Sequence, residues 1–527
     1  MVRVLRKRTQ HTVDSTPRIT RHITEEMRGL PPRVMGFADL ILFYVVTGIS
    51  LRWIATAASA GPSAIVIWVG AWVCFFIPLV LSVIELSSRY PQEGGLYVWS
   101  KRSFGDFAGF IAAWTYWTSN LPYFPAVLYF AGSNALYIRG QQWNYLSDHP
   151  SFYICFSLAA LAVITVMNLI GLNVAKWLHN VGALGMWLPV LIIVAMGLIV
   201  WRRFGSATHF TVSSFVPATL LKNMIFWASL TFALGGSEAA SFMGGEVKNA
   251  RRAMPRALFL AGLIVTFCYI LGTICVLLIL QRNEINDLQG LMQAVTRAAG
   301  KMGWSNVIPV SAALIAISNL GAAGAFLAAT ARLPFVAGID RFLPPAFGRL
   351  HSRWGTPYVA LLAQSFFAAL FVFVGQAGTS VKGAYDVLVS MGIITYFIPY
   401  LFIFAAMFRF QWEEAGPGVI RVPGRKPVAI SLSCIGLTTT LLTIGLSLVP
   451  PPEETNKLLA TVKVIGLTGV VLAAGVLLYY LSNRRKTGQE NARQRIGMKS
   501  CSDADIFVAP STEKLNRQVI EGHDGRG

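Results

Sequence analysis

Four charged side chains sit within or at the ends of long apolar runs of this 527-residue chain: Asp39, Arg52, Glu85 and Glu238. An ionised group in hydrocarbon costs about 2.5–3.5 kcal/mol or more unless water, a partner or a bound solute meets it. Glu238 closes the stretch Ala233-Leu234-Gly235-Gly236-Ser237-Glu238. A desolvated carboxyl at that depth suits gating or proton carriage; the competing role is a structural hydrogen bond to the backbone of the first helix. Arg52, in Leu51-Arg52-Trp53, can bind the carboxylate of an acidic solute, pair with Glu238 or Glu85, or snorkel toward the surface. Glu85 has Arg89 one helical turn away, as a gating ion pair requires. Asp39 suits a cap or gate at the end of the first apolar run.

The elements that carry these groups are interrupted. Thr47-Gly48-Ile49-Ser50 falls in the middle of the first apolar run, and Gly235-Gly236 in the middle of the sixth. Glycine weakens a helix by about 1 kcal/mol relative to alanine. A break at mid-membrane frees backbone N–H and C=O groups that only substrate, water or protein can satisfy. The alternative use of such glycines is close helix packing. Two breaks five helices apart fit an inverted repeat of five plus five, with two helices added.

Composition says what solvent these helices need. Hydrophobic residues make up 54% of the chain and charged residues 13%, against about 25% charged in soluble domains. A bilayer accommodates that apolar surface. The net charge of +20 does not mark a nucleic-acid binder, because the basic residues lie in the tails and in loops between apolar runs. The six cysteines show no CxxC or histidine-paired spacing, which argues against a disulfide or zinc framework. No cofactor or metal is called for. No cleavable leader opens the chain, so the first span serves as its own insertion signal.

The fold class expected is an all-α membrane protein with about 12 transmembrane helices. The spans lie near 37–60, 63–88, 105–137, 152–170, 178–201, 221–245, 257–281, 304–335, 357–376, 383–408, 427–449 and 458–482. Residues 1–35 read as a basic tail, 36–482 as the transmembrane domain and 483–527 as a polar tail, both tails disordered in isolation. The tails hold about 17 Lys/Arg, the loops on the same side about 16 and the opposite loops about nine, which places both termini in the cytoplasm of a plasma or inner membrane.

Three segments carry a family likeness. Glu85-Leu86-Ser87-Ser88-Arg89-Tyr90-Pro91 leads into Glu93-Gly94-Gly95-Leu96-Tyr97-Val98-Trp99. Glu238 is followed by Glu246-Val247-Lys248-Asn249, Arg252 and Pro255. Asp340-Arg341-Phe342-Leu343-Pro344 follows the eighth span. In this order and at these helices they resemble the amino acid–polyamine–organocation family of permeases, over residues 35–410 and on toward the last span. The resemblance implies a LeuT-type fold working by alternating access on amino acids or related amines, coupled to protons, sodium or a counter-substrate. It implies a substrate seat at Thr47, Gly48, Ile49, Gly235 and Gly236. A half-helix N-terminus there favours a carboxylate and exposed carbonyls favour an ammonium. It also implies aromatic cover from Phe232 as gate, with Phe124 and Phe326 beside it; ring faces can hold a cation, although each ring also suits plain helix packing.

Two departures narrow the coupling and the substrate. Relatives that replace sodium with a lysine in helix five find no counterpart here in Leu184-Gly185-Met186-Trp187. The paired hydroxyls of sodium-coupled members are missing between Gly321 and Ala329. Proton symport or exchange is the expectation. Arg52 stands where familiar members are apolar, which leaves the substrate class open. A membrane-embedded enzyme is the rival class; no HExxH, Walker A or nucleophile-elbow pattern supports it. A non-transporting sensor would present the same site.

Overall fold

The structure is a computed structural model of the whole chain. It describes residues 34–90, 94–147, 149–217, 221–236, 238–239, 241, 247–286, 289–339, 342–376, 381–449 and 457–504. The described residues form helices and connecting loops, apart from one isolated parallel bridge between Met35 and Val247.

The first apolar run is two helices, α1 (Phe37–Gly48) and α2 (Arg52–Ser59). Between them Ile49 is extended, with φ −104° and ψ 132°. The second run is one long helix, α3 (Ser63–Arg89), with a π-helical stretch at Trp72–Phe76. A short helix α4 (Leu96–Phe104), which the hydropathy pattern does not predict, leads into α5 (Asp106–Ala135). Pro122 and Pro125 lie inside α5, and its 30 residues match the long third run. Then come α6 (Pro150–Ile170), α7 (Leu172–Phe204) and α8 (Leu221–Ala233). The sixth run was expected to continue to residue 245, but α8 stops at Ala233. Leu234 turns, and Gly236 adopts φ +102°, a conformation that favours glycine.

Helix α9 (Ala250–Ile279) is followed by α10 (Gly290–Met302), a second helix absent from the sequence expectation. It is amphipathic, burying Leu291, Val295 and Ala298 on one face, so it reads as loop in a search for continuous apolar runs. The remainder is α11 (Val307–Thr330), α12 (Arg332–Ile339), α13 (Tyr358–Gln376), α14 (Val381–Phe410), α15 (Arg425–Ser447) and α16 (Lys457–Ala504). Among the described residues eight helical spans are long and apolar enough to cross a bilayer, and Tyr358–Phe373 is a shorter apolar helix. The eight coincide with the second, fourth, fifth, seventh, eighth, tenth, eleventh and twelfth expected runs. The first run falls short because it is broken at Ile49 and the sixth because α8 ends at Ala233, while the third is long but carries prolines, tryptophans, tyrosines and polar residues that lower its hydropathy.

The described residues up to Val476 form one compact unit. Within it α14 and α11 both pack on α5, α11 packs on α7, and α1 lies against α9. The α7–α11 crossing is a backbone contact: a Cβ on Gly182 would fall 2.5 Å from the Gly321 Cα. Outward-facing rings such as Phe267 and Phe366, each about two-thirds exposed, belong against lipid. The second unit, from Leu477, is helical as far as Ala504.

A candidate substrate site between two broken helices

The two interruptions meet. Tyr269, buried on α9, brings one hydroxyl to both of them. The Ser50 N–H donates to that oxygen at 2.8 Å. Carbonyl acceptors lie 3.1 Å away on each side, Gly48 at the end of α1 and Ala233 at the end of α8. Backbone groups exposed by unwinding must find partners inside the membrane, and one tyrosine supplies them for both breaks. A second tie lies at one end of the pair. The Lys248 N–H donates to the Met35 carbonyl at 3.0 Å, joining the chain before α1 to the chain after the α8 break.

A cavity opens beside this junction, with about 440 Å³ between its atoms, open mouth included. Gly48, Ile49, Ser50, Arg52 and Trp53 line it from the first interrupted helix, Phe232, Ala233 and Gly235 from the other. Helix α5 contributes Ser119, Asn120 and Tyr123; Phe326, Tyr269 and Tyr396 complete the wall. The aromatic rings interlock. Phe232 meets Trp53 edge-on at 5.6 Å and Tyr396 at 5.1 Å, and Tyr123 meets Phe326 at 4.8 Å.

The structure thus gathers Gly48, Ile49, Arg52, Phe232, Gly235 and Phe326 around one cavity. The Thr47 side chain lies outside the described residues, although its backbone belongs to α1. Phe124 is fully buried and packs against its neighbour Tyr123, and Tyr123 is the ring that lines the cavity. On a helix adjacent residues face different directions, so the α5 aromatic at the wall is one position away from the one expected.

Gly236 and Glu238 form the layer behind the cavity. The Glu238 carboxylate is inaccessible and sits in a ring of tyrosines from α5 and α14. Tyr116 donates to Oε1 at 2.5 Å and Tyr396 to the same oxygen at 2.8 Å. The Gly236 N–H reaches Oε2 at 3.2 Å. The partners are tyrosines and the glutamate's own broken segment, where the sequence offered the backbone of the first helix. Because the Tyr396 ring lines the cavity, it links a buried carboxyl to the space where a solute would sit.

Glu85 and Asp39 lie elsewhere. Glu85, 1% exposed, pairs with Arg89 at 2.9 Å and also accepts from Gln411 Nε2 at 3.1 Å and from the Val422 N–H at 2.9 Å. Ser88 accepts from the Ile420 N–H beside it, so the end of α3 holds the α14–α15 connection. Asp39 caps α1 through the Gly36 N–H at 3.1 Å, and Asn180 on α7 donates to it at 3.4 Å. Glu93, Glu246, Asp340 and Arg341 lie outside the described residues.

Several residues of the site were not singled out in the sequence: Trp53, Tyr116, Tyr123, Tyr269, Tyr396, and Tyr400, whose hydroxyl lies 3.4 Å from the Gly236 N–H. One signal was available. Tyr396 and Tyr400 are spaced i, i+4 in an otherwise apolar helix, so their hydroxyls share a face. Tyr269 carried none, since a lone tyrosine in an apolar run is compatible with ordinary packing.

A family model described as an amino acid permease matches residues 35–471. An uncharacterized transporter of Legionella pneumophila is 25% identical over 450 residues, covering 85% of this chain and 95% of its own length. The serine/threonine exchanger SteT of Bacillus subtilis is 26% identical over 417 residues, 77% of this chain and 85% of its own length. The probable agmatine/putrescine antiporter AguD of Lactococcus lactis is 22% identical over 359 residues, 68% of this chain and 75% of its own length.

Proposed function

Because this chain belongs to the amino acid permease family, a family of multi-pass membrane transporters, we propose that it exchanges amino acids or related amines across the plasma membrane by alternating access at the cavity between α1–α2 and α8. The observation that carries the reading is the junction at Tyr269, where the ends of α1 and α8 and the start of α2 meet beside a cavity. The C-terminal ends of α1 and α8 present carbonyls to an ammonium, and the N-terminal end of α2 favours a carboxylate. A zwitterion offers both. Exchange follows the similarity to SteT, an exchanger, and AguD, a probable antiporter. Two groups of five helices related by inversion, with α15 and α16 added and both termini cytoplasmic, complete the reading.

Phe232 closes the cavity from the α8 side in this scheme, because its ring already bridges Trp53 and Tyr396. Glu238 carries the proton where transport is proton-driven. It is sealed from solvent, yet one tyrosine hydroxyl from the cavity. Solute movement that shifts Tyr396 changes the hydrogen bonding of the carboxyl, which is how occupancy and protonation become coupled.

The test is solute counterflow with purified protein in proteoliposomes. Labelled amino acid is expected to accumulate when unlabelled amino acid is loaded inside, and to do so less in empty vesicles. An inward proton gradient should raise uptake into empty vesicles, and Glu238→Gln should remove that increment. Binding without accumulation under either condition would identify a sensor and refute the transport reading.

A further inference from the structure

We infer that Arg52 makes this cavity select a solute with a second carboxylate, of the aspartate and glutamate class, over neutral amino acids and over diamines. The inference rests on the proposed seat at the two helix breaks and adds to it a charge requirement.

Arg52 is the first residue of α2 and is 2% exposed. Its guanidinium carbon lies 4.4 Å from the Trp53 ring centre and 5.8 Å from that of Tyr123. Both rings wall the cavity, so the charge is held against it by rings that are themselves fixed by Phe232 and Phe326. Among the described residues that line the cavity, Arg52 is the charged one.

Two consequences follow for a bound solute. First, an ammonium looking for ring faces finds those of Trp53 and Tyr123 already facing a protein cation. A diamine loses cation–π contacts and adds like charge beside a buried guanidinium, where the low-dielectric surroundings strengthen repulsion. Second, the other polar side chains on the wall are neutral, and several are committed within the protein. Ser119 donates to the Tyr116 carbonyl at 2.7 Å, and Tyr396 to Glu238. The amide of Asn120 likewise donates to the Tyr116 carbonyl, at 2.6 Å. The planar guanidinium, with a donor fork that matches a carboxylate, is the group suited to reading a side-chain acid. The α-amino and α-carboxyl groups remain at the helix breaks, and the second carboxylate reaches Arg52 at the base of α2.

Glutamate and glutamine decide the matter, since they differ in charge but hardly in shape. Counterflow of each labelled solute, together with serine and putrescine, is measured in proteoliposomes of the wild type, Arg52→Gln and Arg52→Lys. Glutamate is expected to exchange about tenfold or more better than glutamine in the wild type, with putrescine poorest. Arg52→Gln should collapse that ratio to near unity, and Arg52→Lys should keep part of it. Glutamine or putrescine matching glutamate in the wild type overturns the inference, and this comparison stands even if neither variant folds. An unchanged ratio in a folded Arg52→Gln also overturns it. Exchange of glutamine or serine without glutamate sinks this inference alone, whereas no exchange of any solute sinks the proposed function with it.

Discussion

Tyr269 and Ser50 are 219 residues apart, yet the tyrosine hydroxyl lies 2.8 Å from the serine amide, with carbonyls of Gly48 and Ala233 at 3.1 Å. One side chain therefore satisfies backbone exposed at both helix breaks. Unwinding two helices is tolerable inside a membrane only when the freed groups are satisfied, and this arrangement meets that condition while leaving a cavity alongside.

Tyr269→Phe removes that hydroxyl and leaves buried backbone groups without their partner. The cost of such a loss is about 1–3 kcal/mol. The variant is expected to unfold at lower temperature in detergent, and its counterflow should slow, because the two breaks are no longer held to each other. Thermal unfolding followed by fluorescence gives the first, proteoliposome exchange the second. A variant with unchanged melting and exchange would show that the bonds to Tyr269 contribute nothing.

Gly235→Ala tests the close approach at the second break. A Cβ there would stand 2.7 Å from the Tyr396 ring and 2.8 Å from the Tyr400 hydroxyl. Both tyrosines must move, which disturbs the hydrogen bonds to Glu238. Loss of exchange is expected, while Gly445→Ala, with nothing within 4 Å of the new Cβ, should leave exchange intact and stabilise α15 by up to about 1 kcal/mol. The pair is read by counterflow and melting temperature on the same preparations.

Phe232→Ala deletes two edge-on ring contacts, with Trp53 and with Tyr396. Each such pair is worth about 0.5–1.5 kcal/mol to the folded protein, so melting temperature should fall, and apparent affinity for the exchanged solute should fall with loss of the aromatic lid. Concentration-dependent counterflow measures it. Phe232→Trp should retain most of the affinity by restoring an aromatic lid.

Glu85→Ala leaves Arg89 in a site that is 6% exposed and removes the acceptor for Gln411 and the Val422 N–H. Breaking a buried pair from one side costs about 3–5 kcal/mol. A marked drop in melting temperature is expected, with solute selectivity unaltered because Glu85 does not line the cavity. Selectivity measured across the same amino acid panel would reveal any deeper involvement.

The apolar runs of this chain were legible because a bilayer imposes a length and a polarity on every helix that crosses it. The glycine breaks at Gly48 and Gly235-Gly236 were legible too, since a helix-weakening residue in an apolar run has few other uses. The amphipathic α10 and the short α4 were not, as neither presents a continuous apolar stretch. Local sequence marked Glu238 and Arg52 as chemically expensive residues. It did not say which neighbours would meet them, because those come from helices more than a hundred positions distant for the glutamate. The ring of Tyr116 and Tyr396 around Glu238, the choice of Tyr123 over Phe124 at the cavity wall, and the bridging by Tyr269 were all decided by how α5, α9 and α14 rotate against the broken helices. Hydropathy fixes which segments enter the membrane; the direction a side chain takes inside it depends on packing, for which one-dimensional periodicity in uniformly apolar helices carries little information.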